Sequence, residues 1–219
     1  MTSYLYMSSE LSICGHDGNP ARVPRMGICG IDEAGRGPWA GPVVAAAVIL
    51  PRQKNISSGR PKGLDDSKKL TAEAREELAA EIRACAIVGI GTASVEEIDT
   101  LNILRASHLA MQRAFEALPE APVAALVDGN MAPDLPCPVE WVIDGDVIVP
   151  IISAASIIAK VERDRMMVEF CAQYPGYAFA KHKGYGTPEH QRALAELGPC
   201  PIHRRSFKPV REAAGIIAA

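Results

Sequence analysis

No apolar run in the 219 residues reaches the 18 or so needed to span a bilayer, so a membrane-spanning helix is not expected. The opening stretch, MTSYLYMSSELSICGHDGNPARVPRMG, lacks a basic segment followed by an apolar one. No secretory leader is therefore expected, and the reading is a cytoplasmic protein. The six cysteines are scattered without a C-x-x-C pair, which argues for reduced thiols against a disulfide framework or a zinc site. None of the five histidines reads as paired with another His or a Cys at ligand spacing. No Ser/His/Asp or Cys/His set is evident, and there is no internal repeat. Neither sign of charge dominates: the net charge is −3, with 22% charged and 48% hydrophobic residues. That composition is ordinary for a globular protein, and the length suits one domain with a good core.

The charge that is present is unevenly spread. Residues 160–211 hold 10 Lys/Arg against 5 Asp/Glu, while the remainder holds 13 against 21. A basic C-terminal quarter on an acidic protein permits a phosphate-binding face, although a solvated helix face would look the same. Residues 1–25 show no periodicity and read as a loosely attached extension. Strands are expected at 28–32, 43–50, 87–92, 123–127 and 140–143, and helices at 72–85, 101–118 and 151–174. Ser94 opens a short helix with a capping box, and Thr187-Pro188 starts another that Gly198 ends. Strands mixed with helices give an α/β protein.

The stretch GICGIDEAGRGPWAGP, residues 27–42, places Asp32 and Glu33 at the end of an apolar strand. An unpaired buried carboxylate costs several kcal/mol or shifts its pKa until it is neutral, so something must compensate. GRGPWA formally satisfies the dinucleotide fingerprint G-x-G-x-x-A. However, Pro38, Trp39 and Pro42 lead into a second strand where the fingerprint needs a helix, and the two acids would repel a pyrophosphate. A metal reading fits better. GIDE, ALVDGN and VIDGD each end an apolar strand in an acid, and strand ends at one sheet edge are where α/β proteins place ligands. Singly, each such acid is an ordinary turn or cap residue. Together they carry more negative charge than a site tolerates without hard cations such as Mg²⁺ or Mn²⁺. Asp32 and Glu33 are adjacent and point to opposite faces of a regular strand. Either the strand breaks at Gly35 or Glu33 acts partly through its backbone carbonyl.

Basic clusters complete the pattern. HKGYGTPEH (182–190) interleaves Lys183, Tyr185 and two glycines; HRRSFKP (203–209) supplies Arg204, Arg205 and Lys208; DDSKKL (65–70) adds Ser67, Lys68 and Lys69. Glycines let a backbone approach a sugar or phosphate closely, and a tyrosine ring can stack on a nucleotide. Each cluster alone also reads as a solubilising surface.

GIDEAGRGPWAGPVVAAAV, DDSKKL, IDTLNILRASHLAM, VDGN, AASIIAKVERD, YPGYAFAKHKGYGTPEH and HRRSFKP resemble, in order and spacing, the bacterial ribonuclease HII (type 2 ribonuclease H) family, over residues 27–210. Ser153 stands where that family often has alanine, and the N-terminal 25 residues are an addition. The resemblance implies an RNase H-like fold, a central mixed β-sheet flanked by α-helices. It divides the chain into a catalytic domain at 26–212, with a helical C-terminal portion from about 151, and a tail at 213–219. It also implies an endoribonuclease that cleaves the RNA of RNA-DNA hybrids and incises 5′ of ribonucleotides embedded in duplex DNA, leaving a 3′-hydroxyl and a 5′-phosphate. Removal of misincorporated ribonucleotides and RNA primers would be its role. By position, Asp32, Glu33, Asp128 and Asp146 would hold two Mn²⁺ or Mg²⁺ ions. Gly35, Arg36 and Gly37 would meet the ribose 2′-hydroxyl, and Tyr185 would lie against the next sugar. Ser67, Lys68, Lys69, Asn102 and Lys183 would contact phosphates. The expected partners are RNA-DNA hybrid and ribonucleotide-containing DNA duplexes, with no membrane and a monomeric enzyme. A hybrid-binding module without cleavage, or a related nuclease acting on DNA, are the alternatives.

Overall fold

The computed structural model describes residues 27–51 and 70–215. The N-terminal extension and the DDSKKL residues Ser67, Lys68 and Lys69 lie outside the described residues. Five strands form one mixed sheet in the order β3-β2-β1-β4-β5. They are β1 (Ile28–Ala34), β2 (Val43–Ile49), β3 (Ile87–Ala93), β4 (Ala124–Asp128) and β5 (Val139–Val142). β1 lies at the centre, antiparallel to β2 and parallel to β4. β2 is buried along its whole length, which explains its unbroken apolar sequence VVAAAVI.

Helices cover both faces. One face packs against α3 (Ile103–Glu116), with Ala106, Ala110, Met111 and Phe115 meeting Ile31, Ala45 and Val127. The other packs against α1 (Ala72–Cys85) and the long α5 (Pro150–Gln173), with Leu78, Ile82, Ile157 and Ile158 meeting Ala46 and Val48. α5 crosses β1 so closely that a Cβ on Gly30 would stand 2.4 Å from the backbone of Ile151. A glycine is required there. α6 (Phe179–His182), α7 (Pro188–Leu197) and α8 (Lys208–Ala213) follow, around a smaller core of Ala40, Met167, Tyr177 and Phe179. Among the described residues, no helix is long and apolar enough to cross a membrane.

The short helix expected from Ser94 and the longer one expected at 101–118 meet at Asn102, whose φ of 70° ends α2 (Val95–Leu101), and whose side-chain oxygen accepts from the amides of Leu104 and Arg105 to start α3. The capping box at Ser94 is present, with Glu97 returning the bond to the Ser94 amide.

Candidate active site

Strand pairing assembles the acids. β1 and β4 run parallel with Ile31 opposite Val127, so Asp32 and Asp128 leave the sheet side by side at the same edge. β1 stays paired with β2 through Ala34, so the break expected near Gly35 comes after both acids. Asp146 sits in the first turn of the short α4 (Gly145–Ile148), buried, and its amide donates to Asp128 Oδ1 at 3.2 Å.

Asp32 is 4% exposed, and its Oδ1 accepts the Glu33 amide at 2.7 Å. Burial, followed by the charges of Glu33 and Asp128, pushes its carboxyl well above the usual range, and a hydrogen bond from Ser156 only partly opposes this. Burial also raises Glu33, against which the Arg36 guanidinium works at 3.3 Å. Three carboxylates thus repel one another with one half-exposed arginine as the partial offset. Among the described residues, no three His, Cys, Asp or Glu side chains are already arranged as a cage. The donor chemistry, carboxylate oxygens gathered at one sheet edge, fits a hard divalent cation.

After Ala34 the chain turns through Gly35, at φ +101°, where a Cβ would stand 2.0 Å from Arg163 Nε. No residue with a side chain fits. Two buried arginines hold this turn from beneath, and neither uses a carboxylate. Arg204 donates to the carbonyls of Gly35 (2.5 Å), Arg36 (2.9 Å) and Gly41 (2.9 Å). Arg163 donates to the carbonyls of Pro42 (3.1 Å), Ala40 (3.1 Å) and Lys183 (3.0 Å). With the Gly35 and Arg36 carbonyls drawn inward, the turn is fixed against the C-terminal loop. A methyl at Gly37 would stand 3.5 Å from Cε1 of Tyr185, so turn and ring are neighbours. Glu33, Gly35, Arg36, Gly37 and Tyr185 line one open cleft of about 390 Å³, together with Ser156, Lys160 and Arg75.

Asn102 and Lys183 are not among the residues that line this cleft. Asn102 spends its side-chain oxygen on capping α3. Lys183 has a left-handed backbone at the end of α6, and its Nζ donates to the Ala180 carbonyl at 2.5 Å. Arg204, counted with the surface bases of HRRSFKP, is fully buried. The histidine reading also changes: Cys200 and His203, three residues apart, touch at 3.1 Å, and His182, His190 and His203 are all buried together. Ser156, Lys160 and Arg163 were missed, although their spacing of four and seven along α5 places them on one helix face.

A mixed sheet between helices, with carboxylates gathered where its central strands end, defines the RNase H-like α/β class. The ribonuclease H2 of Pyrococcus horikoshii OT3 has the same fold, with a TM-score of 0.71 at 27% identity over 86% of this chain and 97% of that one. A family model described as Ribonuclease HII matches residues 29–210. The ribonuclease HII of Rhizorhabdus wittichii is 60% identical over 84% of this chain and 89% of its own. That of Parvibaculum lavamentivorans is 57% identical over 90% of this chain and 70% of its own. The chain belongs to the ribonuclease HII family, and is therefore a nuclease, a hydrolase of phosphodiesters.

Proposed function

We propose that this nuclease cleaves RNA paired to DNA and incises on the 5′ side of a single ribonucleotide in duplex DNA, leaving a 3′-hydroxyl and a 5′-phosphate. The observation that carries the reading is the cleft that joins Glu33, which follows the buried and mutually repelling Asp32 and Asp128 pair, to the Gly35–Gly37 turn and the Tyr185 ring. Asp32, Glu33, Asp128 and Asp146 would hold divalent cations, which when bound supply positive charge to a water nucleophile and a leaving 3′-oxygen. The chain's own residues bind and orient. The turn, braced by Arg204 and Arg163, offers backbone groups to one 2′-hydroxyl, the group that tells RNA from DNA at a given sugar. The half-exposed Tyr185 ring packs on the adjacent sugar, best where that hydroxyl is missing. Lys160 and Arg75, which also line the cleft, are suited to phosphates.

Cleavage of a duplex with one embedded ribonucleotide, beside an all-DNA control and a uniform hybrid, tests this in Mg²⁺ or Mn²⁺. Tyr185→Ala should lower cleavage at the single ribonucleotide more than it lowers binding, and Tyr185→Phe should cost less. A requirement for a run of ribonucleotides would overturn the junction reading while leaving the carboxylate site intact. Binding without incision of any duplex would instead favour a non-cleaving module.

A further inference from the structure

Behind Tyr185, three imidazoles lie in the aromatic core of the C-terminal helices, and the hydrolysis uses none of them. His190 is on α7, His182 ends α6, and His203 precedes α8. All three are buried. Their hydrogen bonds determine where each proton sits. The Cys200 amide can only donate, so His203 Nδ1, 3.0 Å away, carries a lone pair. At the other end the Tyr185 carbonyl can only accept, so His190 Nδ1, 2.9 Å away, carries a proton. Between them the two Nε2 atoms are 3.0 Å apart, a contact that accommodates one proton rather than none or two. His203 is therefore the Nε2–H tautomer and donates to His190, and His190 is the Nδ1–H tautomer and donates to Tyr185. Both rings are neutral. His182 follows the same logic. The Gly184 amide donates to its Nδ1 at 3.2 Å, and its Nε2 donates to the Tyr177 carbonyl at 2.7 Å.

The surroundings agree with neutrality. His182 stacks on His190 with centroids 4.6 Å apart, Phe179 packs against all three imidazoles, Trp39 against His190 and Tyr177 against His203. The titratable groups facing the two rings are His182, Cys200 and Tyr177, and no carboxylate is among those that shift either ring. An added proton would set two N–H groups against each other, at the Nε2 contact or at the Cys200 amide. We infer that His203 and His190 are positioning residues: a one-way relay of hydrogen bonds from the Cys200 amide to the Tyr185 carbonyl sets the loop that presents the Tyr185 ring to the cleft. The carbonyl is held from two sides, by His190 and by the Thr187 amide at 2.8 Å, while the Tyr185 amide donates to the His182 carbonyl at 2.9 Å. This deepens the reading of Tyr185 given above and rests on it, because the relay itself touches no substrate.

Two measurements on the full chain test it. In ¹⁵N spectra of histidine-labelled protein at pH 7, His203 and His182 should appear as Nε2–H tautomers and His190 as the Nδ1–H tautomer. A reversed tautomer or an imidazolium at His190 or His203 would overturn the relay, and this needs no variant to fold. On the single-ribonucleotide duplex, His190→Leu should lower kcat about tenfold, the worth of roughly one hydrogen bond, with KM nearly unchanged. His190→Asn, which keeps a donor toward the carbonyl, should restore most of the loss. In a Tyr185→Ala background, His190→Leu should cost nothing further; full additivity would overturn the positioning role. An unaffected junction preference in Tyr185→Ala would sink the reading of Tyr185 and leave the tautomers as stated.

Discussion

Asp32 shows what a single residue contributes at a functional site. Its carboxyl is raised by burial first, then by Glu33 and Asp128, so in metal-free buffer its ionised form opposes folding. The sign follows from the raised value: the stability attached to Asp32 is present at acid pH, below its unfolded pKa of 3.8, and is lost as pH rises through the higher folded value. Asp32→Asn should therefore melt at the same or a higher temperature than the wild type at pH 8 with chelator present. The difference should narrow as pH falls, and differential scanning fluorimetry across pH checks both. In Mg²⁺ the same variant should lose cleavage by at least about 100-fold, the upper end found for groups one step further from a metal. Near wild-type activity would remove Asp32 from the site. Arg204 belongs to the same scale but is of a different kind. Its own guanidinium is buried and its partners are the carbonyls beneath the turn, so Arg204→Ala should cost about 2–4 kcal/mol of stability, and Arg204→Lys should recover little because one ammonium cannot reach the same fork of acceptors. Duplex affinity should keep its salt dependence, since a buried guanidinium neutralises no phosphate; a flattened salt slope with an unchanged melting temperature would overturn this.

Among the elements, what the sequence announced was periodic or capped. The helix α1 was marked by Leu78 and Ile82 on one face, the structure adding the Thr71 cap, and the β2 run VVAAAVI read as a buried strand. The strand-end acids were legible for a related reason, since a carboxylate ending an apolar run has no local explanation and three such runs have a shared one. The junction at Asn102 was legible to within about a residue, since the Ser94 capping box and the spacing of Leu104, Met111 and Phe115 mark separate helices, but nothing in the composition announces a backbone at φ 70°. The four-residue helices α4 and α6 are too short to show a period, so the helix carrying Asp146 left no signal beyond an acid after a strand. The buried arginines escaped because their acceptors are carbonyls, which every residue has, so no acid in the sequence marked them as paired. The histidine relay escaped for the same reason: its ends are a backbone amide and a backbone carbonyl.

For the whole molecule, the buried histidines set an acid limit. Burial, then the neighbouring His190, pulls His203 from 6.5 down to about 4, and His190 is lowered too. Here the unfolded chain takes up protons that the folded one refuses, so the stability is complete above pH 6.5 and drains away as pH falls from 6.5 toward 4. Urea titrations of the metal-saturated protein should show this loss, and His203→Gln should reduce it; an unchanged acid slope in that variant would place the effect elsewhere. The central position of β1 has a consequence for how the molecule comes to exist. Its antiparallel partner β2 follows directly in the chain, but its parallel partner β4 begins at Ala124, opposite Ile28, and the long α5 that covers both lies later still. Pairing across such a separation is slow, because the intervening chain must be ordered before the contact gives anything back. A nascent chain therefore carries Asp32 and Asp128 well apart, and the crowding of charge that the finished enzyme needs arises only as its sheet closes.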